Sequence, residues 1–229
     1  RIVEITQQLP LPAIPDARAN RADIRDRKNQ QQAKAFEIAD AFGIDAGGDP
    51  WAGDYVAPGK YAPVVVRADG QKVMVPRVWG VPPPPNGDRP VTNVRNLDSP
   101  FWIGTLRHTM FRCLIPVTSF QEWGGERGRR TQHWFSVPSE PVFAIAGIWR
   151  DSEVASFAML TTDPNPLVEA VHPKAMPVIL HSYDHDAWLR ADWKEARQLV
   201  ASYPSQLMSM AEIPAAPPKA PAPPIDLFS

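Results

Sequence analysis

"FRCLIPVTSFQEWGG", residues 111–125, runs from an unbroken apolar stretch into a carboxylate set among aromatic rings. The first half, "FRCLIPV" (111–117), reads as a short strand. Glu122 follows it, between Phe120 and Trp123. An aromatic environment disfavours a charged carboxylate, so the expected ionisation of Glu122 moves up toward the range useful for acid–base work. A glutamate at a strand end that points to solvent would carry the same local sequence.

Similar runs lie on either side. "APVVVR" (62–67), "KVMVP" (72–76), "HWFSV" (133–137), "PVFAIAGIW" (141–149), "ASFAMLT" (155–161) and "MPVIL" (176–180) are strand-like and separated by turn signals such as "ADGQ" and "PSEP". Helical periodicity appears in two places. "QQQAKAFEIADAFG" (30–43) has an apolar face of Ala35, Ile38, Ala39 and Phe42 before a terminating Gly43. "DHDAWLRADWKEARQLVASY" (184–203) spaces Trp188, Leu189, Trp193, Ala196 and Leu199 for a second helix. Many strands and few helices, without βαβ alternation, predict an α+β fold: a mostly antiparallel sheet or barrel-like core with a few flanking helices.

The 229 residues suit one domain, and the 44% hydrophobic content with 8 tryptophans suffices for a packed core. A net charge of −1 excludes a global polycation, so any nucleic-acid site is a local patch. The single cysteine, Cys113, rules out an intrachain disulfide framework and fits a reducing cytosol. Within "FRCLIPV" it reads as a small core thiol. No apolar run reaches the roughly 18 residues a membrane span needs. Of the 27 prolines, one group forms the loop "VPPPPNGDRP" (81–90) and another the Pro/Ala-rich stretch 214–229. We therefore expect a single domain over 1–213 and a flexible, extended tail over 214–229.

Polar residues recur where plain strands would carry none. His172 opens "HPKAMPVIL" as a proton-shuttle candidate, or as a loop histidine bonded to the backbone. Asn93 and Arg95 share a face of "TNVRN" if it is extended, an arrangement suited to an oxygen-rich ligand or to a polar edge strand. Arg107, Arg112, Arg127, Arg129, Arg130 and Lys174 would extend a basic surface. His108, His133, His181 and His185 are weaker candidates. His181 and His185 have zinc-like i,i+4 spacing but no third ligand, so neither metal nor cofactor is expected.

The order of these stretches resembles one family. "YVAPGKYAPVVV" (55–66), "WG" (79–80), "TNVR" (92–95), "RCLIPVTSFQEW" (112–123), "LTT" (160–162) and "VHPKAMPVIL" (171–180) are similar, in sequence, to the SOS-response-associated peptidases. The resemblance implies a β-rich fold with a positively charged groove for single-stranded DNA. It also implies a covalent thiazolidine crosslink between an abasic site and an N-terminal cysteine, exposed when the initiator methionine is removed. By their matches, Glu122 takes the acid–base role, His172 assists proton transfer, and Asn93 orients the N-terminal residue. Arg95, Thr161, Lys174 and the Pro58–Gly59 turn would contact DNA. Arg1-Ile2 fits the residues that follow a family Met-Cys-Gly start, so the nucleophile is expected just upstream of Arg1, with Arg1 near the DNA backbone. This chain has Tyr55 where the family turn commonly has asparagine, a proline run in place of a base-wedging tryptophan pair, and Ala175 as one extra residue.

A thiol peptidase and a non-catalytic DNA-binding descendant are the alternatives. Single-stranded DNA with abasic sites is the expected partner of a monomer in the bacterial cytoplasm, beside the nucleoid. "PPIDLF" (223–228) offers Ile225, Leu227 and Phe228 as anchors that look like sliding-clamp peptides.

Overall fold

The computed structural model describes residues 29–47, 51–125 and 130–214. Arg1, Arg127, Arg129, Ile225, Leu227 and Phe228, with the segment 9–28 and the tail beyond Pro214, lie outside the described residues.

In chain order the elements are β1 (Asn29–Gln32), α1 (Ala35–Phe42), β2 (Asp54–Val56), β3 (Tyr61–Ala68), β4 (Gln71–Trp79), β5 (Asn93–Val94) and α2 (Ile103–Arg107). There follow β6 (Arg112–Val117), β7 (Ser119–Gly124), β8 (Thr131–Ser136), β9 (Phe143–Asp151), β10 (Ala155–Thr162) and α3 (Pro166–Glu169). The described chain ends with β11 (Met176–Pro177), β12 (Ile179–Leu180), α4 (His185–Arg190), α5 (Trp193–Ala196) and β13 (Ser209–Pro214). The fold is α+β with mainly antiparallel sheets.

One sheet has five antiparallel strands in the order β13-β8-β7-β1-β2. The other closes on itself: β10 pairs β4, β4 pairs β3, β3 pairs β6, β6 pairs β9, and β9 returns to β10. Among the described strands the only parallel pairings are those of β10 with β4 and with β5, along one edge. Between them the proline loop makes an excursion, pinched shut by reciprocal Val81–Val91 backbone bonds of 3.0 and 2.8 Å. Where β9 and β10 splay apart, Val178 bridges them, donating to Leu160 O and accepting from Ala146 N. Asp69 (φ 48°) and Gly70 (φ 84°) form the two-residue β3–β4 turn, which needs the left-handed backbone they adopt.

The opening stretch joins the two sheets. β6 lies in the closed sheet and β7 in the other, with the crossing at Thr118, whose N–H donates to Gln31 O at 2.8 Å. All six residues of β6 are buried because both its faces are covered. Cys113, Ile115 and Val117 join a cluster that includes Phe120 and Phe135, while Leu114 joins one with Ile38, Phe42, Trp188 and Leu189 of the helices. Each such fully buried large side chain contributes roughly 1.5–3 kcal/mol.

Several expectations are corrected. Gln30–Gln32 pair as strand with β2 and β7 instead of starting the first helix. α1 starts after Lys34, whose N–H is bonded by the Glu37 carboxylate at 2.8 Å, and it stops at left-handed Gly43 (φ 61°). The expected helix over 184–203 is broken at Ala191, which is extended (ψ 158°). Asp192 then caps α5 by accepting from Glu195 N at 2.9 Å. Arg112 is no surface cation. It is fully buried and donates to Leu106 O, Trp188 O and Ala191 O, with its guanidinium 5.6 Å from the Trp188 and Trp193 rings. Among the described residues no helix is long and apolar enough to cross a membrane.

Candidate active site

Alternation along β7 sends Phe120, Glu122 and Gly124 to the interior face. Phe120 stacks on Phe135 of β8 at 5.1 Å, and Glu122 lies opposite His133 in the same strand pair. Glu122 is thus inside a strand, not at the end of one, and is 3% exposed.

His172 arrives by a different route. Asn165 Oδ1 caps α3 through Val168 N at 3.0 Å, and its amide donates to Tyr203 O at 2.6 Å. One turn later His172 N donates to Val168 O at 2.8 Å, fixing the loop that carries the imidazole. Its Nδ1 lies 2.9 Å from Ala175 O. Ala175 N–H also points at Nδ1, at 3.4 Å. The shorter contact to the carbonyl is a hydrogen bond in the tautomer that carries the proton on Nδ1, and in that tautomer Nε2 is the acceptor. Ala175 therefore supplies the group that orients the ring.

These two routes converge on a cavity of about 420 Å³, lined by Glu122, Trp123, Gly125, Arg130, His172, Pro173 and Lys174. One carboxylate, one imidazole and two cations face a common space, a combination that can move protons beside an anionic ligand. Trp123, Gly125 and Pro173 had no marker in the sequence except adjacency to Glu122 and His172.

The other expected residues lie outside that lining. Asn93 is paired in parallel with Met159, and its Oδ1 is buried without a hydrogen-bond partner among the described residues. Arg95 is ion-paired with Asp163. Thr161 is 4% exposed and opposite Pro177. Pro58 and Gly59 form the turn between β2 and β3, where Gly59 (φ 84°) donates to Trp79 O at 2.7 Å. Tyr55 donates its hydroxyl to Gln121 Oε1 at 3.0 Å, and burial pushes that phenol upward. Cys113 is 0% exposed, and burial drives its thiol far above the ordinary range, which removes it as a nucleophile. His181 stacks on Tyr183 and lies tilted against Tyr203, whereas His185 stacks on Phe42, so the two do not form a pair. Among the described residues no cluster of three or more His, Cys, Asp or Glu could hold a metal.

Three solved structures share this architecture. Two Bordetella bronchiseptica proteins superpose with TM-scores of 0.69 (19% identity, 81% of this chain, 99% of that one) and 0.66 (17%, 82% and 93%), the second of them described as a phage-related protein. A Bacteroides thetaiotaomicron protein gives 0.66 at 20% identity over 81% of this chain and 91% of its own. At these identities the likeness concerns the fold alone. In sequence, the abasic site processing protein YoqW of Bacillus subtilis (strain 168) and that of Bacillus phage SPbeta are each 34% identical over 90 residues, 34% of this chain and 38% of theirs. The match thus spans well under half of those relatives. The family model for SOS response associated peptidase (SRAP) matches residues 24–216, a span whose only cysteine is Cys113 and which leaves Arg1 and Ile2 outside. The chain belongs to the SOS response associated peptidase family.

Proposed function

We propose that this chain binds single-stranded DNA and processes abasic sites in it, with the ring-opened sugar seated in the Glu122–His172 cavity. One observation carries the reading. Glu122, about 50 residues from His172 and Lys174 in sequence, lines with them and Arg130 a single cavity of about 420 Å³. The two cations suit the flanking phosphates, which charge-assisted bonds hold without regard to base sequence. Glu122 and the His172 Nε2 suit proton transfer at an aldehyde carbon. The name carried by the YoqW relatives agrees with this chemistry.

The covalent step is that expected of an N-terminal cysteine preceding Arg1. Its α-amine adds to the aldehyde carbon, and the carbinolamine loses its hydroxyl as water once Glu122 has protonated it. The thiol then adds across the resulting C=N bond to close a thiazolidine. Asn93 would orient the amine. The same cavity would support removal of the initiator methionine that exposes this cysteine. Asn29, the first residue of β1, lies opposite Gln121, one register step from Glu122. Arg95, Thr161 and the Pro58–Gly59 turn would extend the DNA contact, and Ile225, Leu227 and Phe228 would tether the chain to a sliding clamp.

The test incubates the full-length protein with a single-stranded oligonucleotide bearing one abasic site. Intact protein should give a denaturation-resistant shifted band, and Glu122→Gln should not. Binding that salt reverses completely, with neither crosslink nor strand scission, would leave a non-catalytic DNA-binding protein and end the processing reading.

A further inference from the structure

We propose that His133 is a positioning residue for Glu122 and for the loop that carries His172, an inference that rests on the acid–base role given to Glu122. His133 of β8 lies directly opposite Glu122, so the two side chains rise from the same face of neighbouring strands. The ring is 8% exposed. Thr131 Oγ1 holds Nε2 at 2.8 Å, which fixes the ring plane. Nδ1 is buried and has no hydrogen-bond partner among the described residues. On its other side His133 faces Glu212 of β13, which is exposed.

The space for this ring comes from Gly124. A Cβ at that position would lie 2.6 Å from His133 Nε2, 2.9 Å from its Cδ2 and 3.1 Å from Val171 Cγ1. The imidazole therefore occupies the volume a side chain at 124 would take, and Val171, which immediately precedes His172, borders the same volume. His133 and the loop that presents His172 thus share the space over Gly124, on the strand that presents Glu122. An apolar ring would fill that space equally well. An imidazole tied to Thr131 with one uncommitted nitrogen adds a polar group beside the carboxylate, of the kind that orients a proton-transferring residue in other sites.

Two measurements test this. Nitrogen-15 spectra of the imidazole rings should show the His133 signals moving in Glu122→Gln while those of His181 stay in place. In single-turnover reactions with abasic single-stranded DNA, His133→Gln should keep the melting temperature and bring DNA affinity to within about twofold of wild type, yet slow product formation by about 10- to 100-fold, the range typical of lost orienting partners. His133→Phe, which keeps the volume, should be as slow. If wild-type protein forms no product at all, the processing reading fails, and the spectra alone still decide the coupling. His133 signals indifferent to Glu122→Gln, or wild-type rates in both variants, would overturn the inference.

Discussion

Glu122 is almost fully buried yet lines an open cavity, and that pairing suits a carboxylate that must meet a substrate in a dry setting. Glu122→Gln keeps the shape, so the folded state and DNA affinity should persist while product formation on abasic DNA drops about 100-fold or more, readable by single-turnover gel assay. Arg95 leads to a less obvious expectation. Its guanidinium is bound to the exposed carboxylate of Asp163, so any phosphate has to compete with that partner. Asp163→Asn should strengthen binding to single-stranded DNA. Arg95→Ala should weaken it and reduce the slope of log affinity against log salt by about 0.7, the share of one phosphate contact on a single strand. Fluorescence titrations across a salt series check both.

At the level of elements, β7 depends on having no side chain at Gly124. Gly124→Ala forces its methyl group against the His133 ring, with Val171 blocking the other side. Overpacking of this kind costs about 1–3 kcal/mol, which a melting curve would register, and the displaced ring should also slow the reaction. The strands were legible because period and turn chemistry marked them. "ADGQ", for example, became a two-residue turn with Asp69 and Gly70 both left-handed. Gln30–Gln32 were not, since three glutamines carry no apolar alternation and become strand only because β2 and β7 supply backbone partners on both sides. The long second helix misled for the opposite reason. Trp188, Leu189 and Ala196 are buried as their spacing implies, but Asp192 is a better cap than a helix interior residue and starts a new helix. In the site, Glu122 and His172 stood out as polar residues in apolar settings. Arg112, read only as part of a basic surface, proved to be a structural clamp, because sequence does not tell a buried cation that satisfies three carbonyls from one awaiting a ligand.

For the whole molecule, α1 and α4 are joined by Phe42 and His185, whose rings stack at 5.1 Å and 8°. Burial, reinforced by Lys72 and opposed by Asp186, lowers His185 from 6.5 to about 4. The folded state therefore resists the proton that the unfolded chain accepts first. This stabilisation is complete above pH ~6.5 and falls by about 1.4 kcal/mol per pH unit as pH drops toward 4, a loss on the order of 3 kcal/mol. Melting temperatures measured from pH 7 to 4 should decline over that window, and His185→Phe, which keeps the stack, should flatten the decline. The two sheets meet around β6, where Cys113 packs so closely on Gly147 that a Cβ there would lie 2.8 Å from the sulfur. Because this is the only thiol between residues 1 and 229, a cysteine-selective reagent read out on the peptide that carries it is a stopwatch for the closed sheet. Each modification at Cys113 marks one molecule whose barrel has come apart, and the untouched fraction counts those that have stayed shut.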